Sequence, residues 1–160
     1  MGTGTDAFLR VRVFAGGQDA IFLVTKMCEM YSRYAEPKGW TTTLLSERVY
    51  SEGAESIALI GGDRAFNKLQ HEAGIHRFQW VPPAGGQGRV LTFKIMVAIA
   101  RRIDELDPPG STASYENVRS YNFPLNRITD HRLGSLRFQL DTVMGGQLDP
   151  IIDALSAAEL

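Results

Sequence analysis

A chain of 160 residues, 44% hydrophobic and 22% charged, is long enough for one well-formed core or for two small subdomains sharing one. Its 17 basic and 18 acidic residues leave a net charge of −1, which excludes a global basic field for finding nucleic acid but not a local basic surface. The single cysteine, Cys28, excludes an internal disulfide framework and a cysteine-based metal site, and no metal or cofactor is expected. No apolar run approaches membrane-span length and Met1–Asp6 is too short for a signal peptide, so no membrane partner is expected. A cytoplasmic protein fits, or one of an organellar matrix after removal of a presequence.

Phe8–Ala15 alternates Leu9, Val11 and Val13 with Arg10 and Arg12, which predicts a half-buried strand. Gly16-Gly17 turns the chain into a helix over Asp19–Glu36. Its apolar stripe is Ala20, Val24, Met27, Tyr31 and Tyr34, widened by Leu23 and Met30, and Pro37 and Gly39 stop it. Cys28 lies within it, with no basic neighbour to depress its pKa, and reads as a small buried hydrophobe. Trp40–Val49 and Glu55–Gly61 read as strands around a turn at Ser51–Gly53. A short helix, Arg64–His71, turns Phe66 and Leu69 inward and leaves His71 facing solvent.

Gly74–Thr92, GIHRFQWVPPAGGQGRVLT, reads as a hairpin: a strand over His76–Val81, a Pro/Gly tip at Pro82–Gly88, and a return from Arg89 through Ile99. Tandem prolines cannot donate to a ladder, so the tip is a loop held out by a rigid scaffold. Arg101–Glu116, with Pro108-Pro109-Gly110 and several hydroxyl residues, reads as a linker. Val118–Gly134, VRSYNFPLNRITDHRLG, contains a Thr-Asp-His-Arg run. Adjacent strand residues face opposite ways, so Asp130 and His131 are not positioned to share a proton as a catalytic pair. Leu136–Met144 and Leu148–Leu160 are predicted as two closing helices.

Two of these stretches resemble class I peptide chain release factors of bacteria and organelles. The hairpin is similar to the family's G-x-H-R-V-Q-R-V-P-x-T-E-x-Q-G-R-x-H-T-S, matching at Gly74, His76, Arg77, Gln79, Val81, Pro82, Gln87, Gly88, Arg89 and Thr92. The later stretch resembles R-T-Y-N-F-P-x-x-R-V-T-D-H-R, matching at Arg119, Tyr121–Pro124, Arg127 and Thr129–Arg132. The helix opening Gly16-Gly17, its Met30-Tyr31 and Arg33–Glu36, and Gly39-Trp40 extend the likeness, which runs from Phe8 onward apart from Arg101–Glu116. In the family this hairpin enters the small-subunit decoding site and reads the stop codon with a Pro-x-Thr or Ser-Pro-Phe tripeptide. Here Pro82-Pro83-Ala84 stands in that place without the hydroxyl, and Leu91 replaces a histidine. Neither Ala84 nor Leu91 supplies a group that hydrogen-bonds a base edge.

The family inserts its hydrolase domain, with a catalytic Gly-Gly-Gln loop, near the point where this chain has only the 100–117 linker. Three Gly-Gly-Gln tripeptides occur, at Gly16–Gln18, Gly85–Gln87 and Gly145–Gln147, none in the basic surroundings of the catalytic loop. A globular chain of this length has a radius of gyration of about 15 Å and does not reach from the decoding site to the peptidyl transferase centre.

The sequence therefore predicts one α+β superdomain over residues 1–160, in which residues 1–99 and 118–160 flank the linker. A mixed, largely antiparallel sheet carries one long packed helix and short C-terminal helices. The resemblance implies a ribosome-binding protein at or near the decoding centre, contacting small-subunit rRNA and without peptidyl-tRNA hydrolysis. Two other readings are an RNA-binding or structural ribosome-associated protein that also touches mRNA, and the codon-side half of a release or rescue factor whose hydrolase domain acts in trans. Arg77, Arg89, Arg127, His131 and Arg132 are the candidate RNA contacts, unless some pair with carboxylates inside the domain. Pro82, Pro83, Ala84, Gln87, Gly88, Leu91 and Thr92 form the degenerate codon-reading tip.

Overall fold

The computed structural model describes residues 5–82, 87–106 and 116–158. Along the chain run β1 (Ala7–Val13), α1 (Ala20–Ala35), β2 (Thr41–Val49), β3 (Ala54–Gly61) and α2 (Ala65–Leu69). After these come β4 (Gly74–Trp80), β5 (Leu91–Ala100), β6 (Asn117–Asn122), β7 (Arg127–Asp130), β8 (Phe138–Gln139), α3 (Leu140–Met144) and α4 (Asp149–Ala157). The strands form one sheet in the order β2-β3-β1-β5-β4-β6-β7-β8. Every pairing is antiparallel except β4 with β6, so the α+β expectation holds.

One face of the sheet is covered. The stripe of α1 buries Leu23, Val24, Met27, Met30, Tyr31 and Tyr34 against β1 and β3, and α3 packs beside it. Cys28 is partly buried in this layer, and burial pushes its thiol up to about 11, consistent with an inert apolar role. The chain leaves α1 through Glu36–Lys38 and turns at Gly39, whose φ of +74° suits glycine. The hairpin of β4 and β5 is present, with the return starting at Leu91 rather than Arg89.

Three expectations differ from the structure. β1 is not half-buried: Arg10 and Arg12 are 2% and 1% exposed, so both of its faces are covered. On the far face Arg12 meets Glu55 of β3 at 2.7 Å, and Ala98, Ala100 and Leu106 form a small second cluster beside Phe8 and Ile57. Leu106 lies past β5 in the predicted linker, whose residues 107–115 fall outside those described. Residues 136–139 are not helical. Phe138–Gln139 pairs with Arg127–Ile128 instead, and Asn126 takes the Asp141 amide on its side chain at 2.8 Å, starting α3 at Leu140. His71 is half-buried, its backbone carbonyl accepting from Arg132 at 2.7 Å.

A charged cluster lies inside the covered layer. Arg119 of β6 is 0% exposed and donates through Nη1 and Nη2 to Glu72 at 2.6 and 2.8 Å and through Nε to Asp130 of β7 at 3.0 Å. Tyr31 of α1 donates to Glu72 at 2.9 Å, and Arg132 completes Asp130 at 3.0 and 2.9 Å. His76 bridges the Glu72 carbonyl (2.7 Å from Nε2) and the Tyr121 hydroxyl (2.6 Å from Nδ1). A carbonyl only accepts, so Nε2 carries the proton and Nδ1 accepts from Tyr121; the ring is neutral. Burial, aided by Arg119, holds its pKa down to about 4. Burial alone would raise the carboxyls of Glu72 and Asp130, but the arginines beside them outweigh it and hold both low.

Breaking a buried pair by removing one partner costs about 3–5 kcal/mol, because a charge is left uncompensated. Glu72→Ala is therefore expected to lower the denaturation midpoint by about 10 °C or more. The cluster also sets the acid response. His76 has a folded pKa below its unfolded value, so the stability it contributes is full above about pH 6.5 and falls as pH drops toward 4. The depressed carboxyls of Glu72 and Asp130 lose their contribution only below about pH 4.3. Urea denaturation from pH 8 to 3 should show a flat limb above about 6.5 and a decline that begins there. In His76→Phe the decline between about pH 6.5 and 4 should be shallower, with a residual slope from His71, whose pKa is also held down by burial.

Candidate nucleic-acid interface

Side chains alternate across a strand, so the residues that flank the buried ones look out from the opposite face. On β4 these are Ile75, Arg77 and Gln79; on β5, Thr92, Lys94 and Met96 lie opposite them in register. Ser120 and Asn122 of β6 align beside Arg77 and Gln79, and Thr129 and Arg127 of β7 beside those. His131 joins this face through a 2.8 Å contact between its Nε2 and the Ser120 hydroxyl. None of the outward residues of these four strands is acidic. A net charge of −1 for the whole chain thus coexists with a local cationic surface.

The register places Arg77 directly opposite Lys94. Like charges facing each other across a ladder are destabilising. None of the ion pairs among the described residues involves Arg77, Lys94, Arg89 or Arg127. The Arg77 Nε is buried without a hydrogen-bond partner. Such a pair is suited to an anion bridging both cations, and a guanidinium fork matches phosphate oxygens.

Of the residues singled out in the sequence, Arg77, Arg127 and His131 share this face, and Arg89 is exposed at its tip-proximal end. Arg132 does not join them, because all three of its donor groups are taken up by Asp130 and the His71 carbonyl. Asp130 and His131 face apart, as strand alternation requires. Lys94 was missed; only its register opposite Arg77 reveals it. Gln87 and Gly88 adopt positive φ (+52° and +76°), Thr92 is exposed, and Pro82 is buried. Leu91 sits opposite Trp80, on the covered side of the hairpin. Trp80 there stacks on Phe22 of α1 at 4.6 Å and tilts against Phe93. Pro83 and Ala84 lie outside the described residues, with Gly85 and Gly86.

The outer two Gly-Gly-Gln tripeptides have local structural roles. The amides of Gly16 and Gly17 donate to the Glu52 carbonyl at 3.0 and 2.8 Å, and Gly17 opens the turn into α1. Gly146 has φ +114°, and a Cβ there would meet the Arg33 backbone at 2.8 Å, so only glycine lets the α3–α4 turn close on α1.

The structure defines an α+β domain with one sheet face sealed by helices and the other open and cationic over β4–β7. Residues 3–97 match the PCRF domain, and the chain belongs to that family. Peptide chain release factor 1 of Aquifex aeolicus is 28% identical over 239 residues, covering 97% of this chain and 66% of the relative. Its counterpart in a Nitratiruptor species is 27% identical over 236 residues, covering 95% and 67%. The chain thus spans about two thirds of the length of the curated relatives it matches. The Aquifex alignment is longer than the chain by 79 positions (239 against 160), so at least that many residues within the matched stretch of the relative have no counterpart here. The fold is that of RF2 of Thermus thermophilus, with a TM-score of 0.79 at 18% identity, covering 100% of this chain and 71% of that one. The protein is class I release-factor-like in sequence and fold.

Because Arg77 and Lys94 repel, Lys94→Thr is expected to stabilise the fold by about 0.2–1 kcal/mol. Chemical denaturation at low and high salt checks this, since screening should shrink the gain.

Proposed function

We propose that this protein docks on the ribosome at or near the decoding centre through the open face of β4–β7. It acts in termination or in ribosome-associated regulation without hydrolysing peptidyl-tRNA. The observation that carries this reading is the unneutralised Arg77–Lys94 pair on the outward side of β4–β7, where no outward residue is acidic, in a chain similar to release factors. Ribosomal RNA is the polyanion such a face suits. Phosphates bridging the pair would remove its repulsion, and Arg127 and His131 lie two strands away to extend the contact. The absence of hydrolysis is supported by the residues of the Aquifex relative that have no counterpart here. In this chain β5 reaches β6 through residues 101–116, and β6 then joins the same sheet beside β4.

Co-sedimentation with ribosomes tests docking. Each phosphate contact releases counterions, so Arg77→Ala and Lys94→Ala should each weaken binding and reduce the salt slope by about one. Arg132→Ala should instead lower thermal stability, since its side chain is spent inside the fold. Unchanged affinity and slope for both face variants would contradict the placement. In a termination assay the protein should release no peptide with any codon in the A site, and stop-codon-dependent release above background would overturn the non-hydrolytic reading. With two reading groups replaced at the tip, ribosome affinity should differ by less than about 1 kcal/mol between stop and sense codons. Fluorescence titration on ribosomes carrying each stop codon and one sense codon measures this.

A further inference from the structure

A cavity of about 300 Å³ opens on the same face and runs along β5 from Thr92, next to the tip, to Met96. Its floor is β5 (Thr92, Phe93, Lys94, Met96), one wall is Ile75 of β4, and the other is Phe14 and Ala15 just past β1. Phe14 is 45% exposed, a large ring left at the surface. Lys94 belongs to the lining, and Arg77 stands across the ladder from it. An apolar slot with an aromatic wall, next to two cations without acidic partners, matches the two halves of a nucleotide. A planar base fills the slot while its phosphate bridges the cations. The volume lies at the small end of ligand pockets, about 300–1,000 Å³. That is the scale of one heterocycle rather than a peptide segment.

We propose that Phe14, Ile75 and Met96 form a binding site for one unstacked base of single-stranded RNA, whose adjoining phosphate is held by Lys94 and Arg77. The proposal rests on the RNA-docking reading of this face and adds a sequence-tolerant stacking contact with one base to it. Phe14 supplies the stacking ring, Met96 and Ile75 the apolar floor and edge, and the cations fix the backbone on one side of the slot. Binding is selective for unpaired RNA, because a paired base cannot leave its stack without cost.

The test uses the full chain and three probes. These are a short single-stranded oligoribonucleotide with a central 2-aminopurine, the same strand with that base removed, and a blunt duplex of the same sequence. The single strand should bind at least about tenfold more tightly than the abasic strand, the effect of one stacked base. Its 2-aminopurine fluorescence should change on binding. Phe14→Ala, at a half-exposed position, should lose about tenfold on the intact strand and nothing on the abasic one. Lys94→Ala should weaken both. Equal affinity for intact and abasic strands, preference for the duplex, or an unaltered Phe14→Ala variant overturns the base site. Ribosome co-sedimentation run in parallel separates the two ideas. Ribosome binding without base dependence defeats the base site alone, whereas loss of both defeats the docking reading with it.

Discussion

The Arg119 guanidinium, clamped between Glu72 and Asp130, is the contact on which the arrangement of the sheet depends. β6 returns to the sheet after a long connection and lies parallel to β4, a pairing no tight turn can enforce. The clamp ties β6 to β7 through Asp130 and to the segment entering β4 through Glu72, while Tyr31 links it to α1. At Gly74, a Cβ would meet Val118 at 2.7 Å, so glycine lets β4 start against β6 at the register the clamp needs. A buried cluster of this kind is weak evidence for net stability. Its clearer effect here is to fix one register, because a slip by one residue would send Arg119 to the open face and leave Glu72 buried without a cation.

That fixed register is what makes the outer face a candidate site. Arg77, Lys94 and Arg127 look out because their neighbours His76, Ile95 and Ile128 are committed to the core. Charges of opposite sign are used inward, where desolvation demands pairing, and charges of one sign are left outward, where water screens their repulsion. The division lets a nearly neutral chain present a cationic surface. Lys94 opposite Arg77 runs against the preference of the fold, a local conflict that fits the docking role proposed for this face.

Much of this was legible in the sequence. The 3.6-residue stripe of α1, the β4–β5 hairpin and the release-factor-like segments were clear because each is a local pattern. The misreadings came from tertiary partners that local patterns do not carry. Arg10 and Arg12 alternate with apolar residues as a solvent-facing row would, yet the far face of β1 is closed by Glu55 and by residues beyond β5. Phe138–Gln139 looks helical in isolation and is captured by β7. Arg132 had the residue type of an RNA contact, but Asp130, two positions earlier, uses it. Arg119 matched a family motif without revealing itself as the buried clamp, since an arginine reads as surface until its partners are known. Lys94 and Phe14 lie in no motif and became visible only with cross-strand register.

The most direct test of the account is a cryo-EM map of the protein bound to ribosomes, read for which face of the sheet meets RNA. The account predicts density at the small subunit, with the β4–β7 face and its Arg77–Lys94 pair against the RNA backbone and the α1 layer turned away. Density that places α1 against the ribosome with the β4–β7 face in solvent would contradict it.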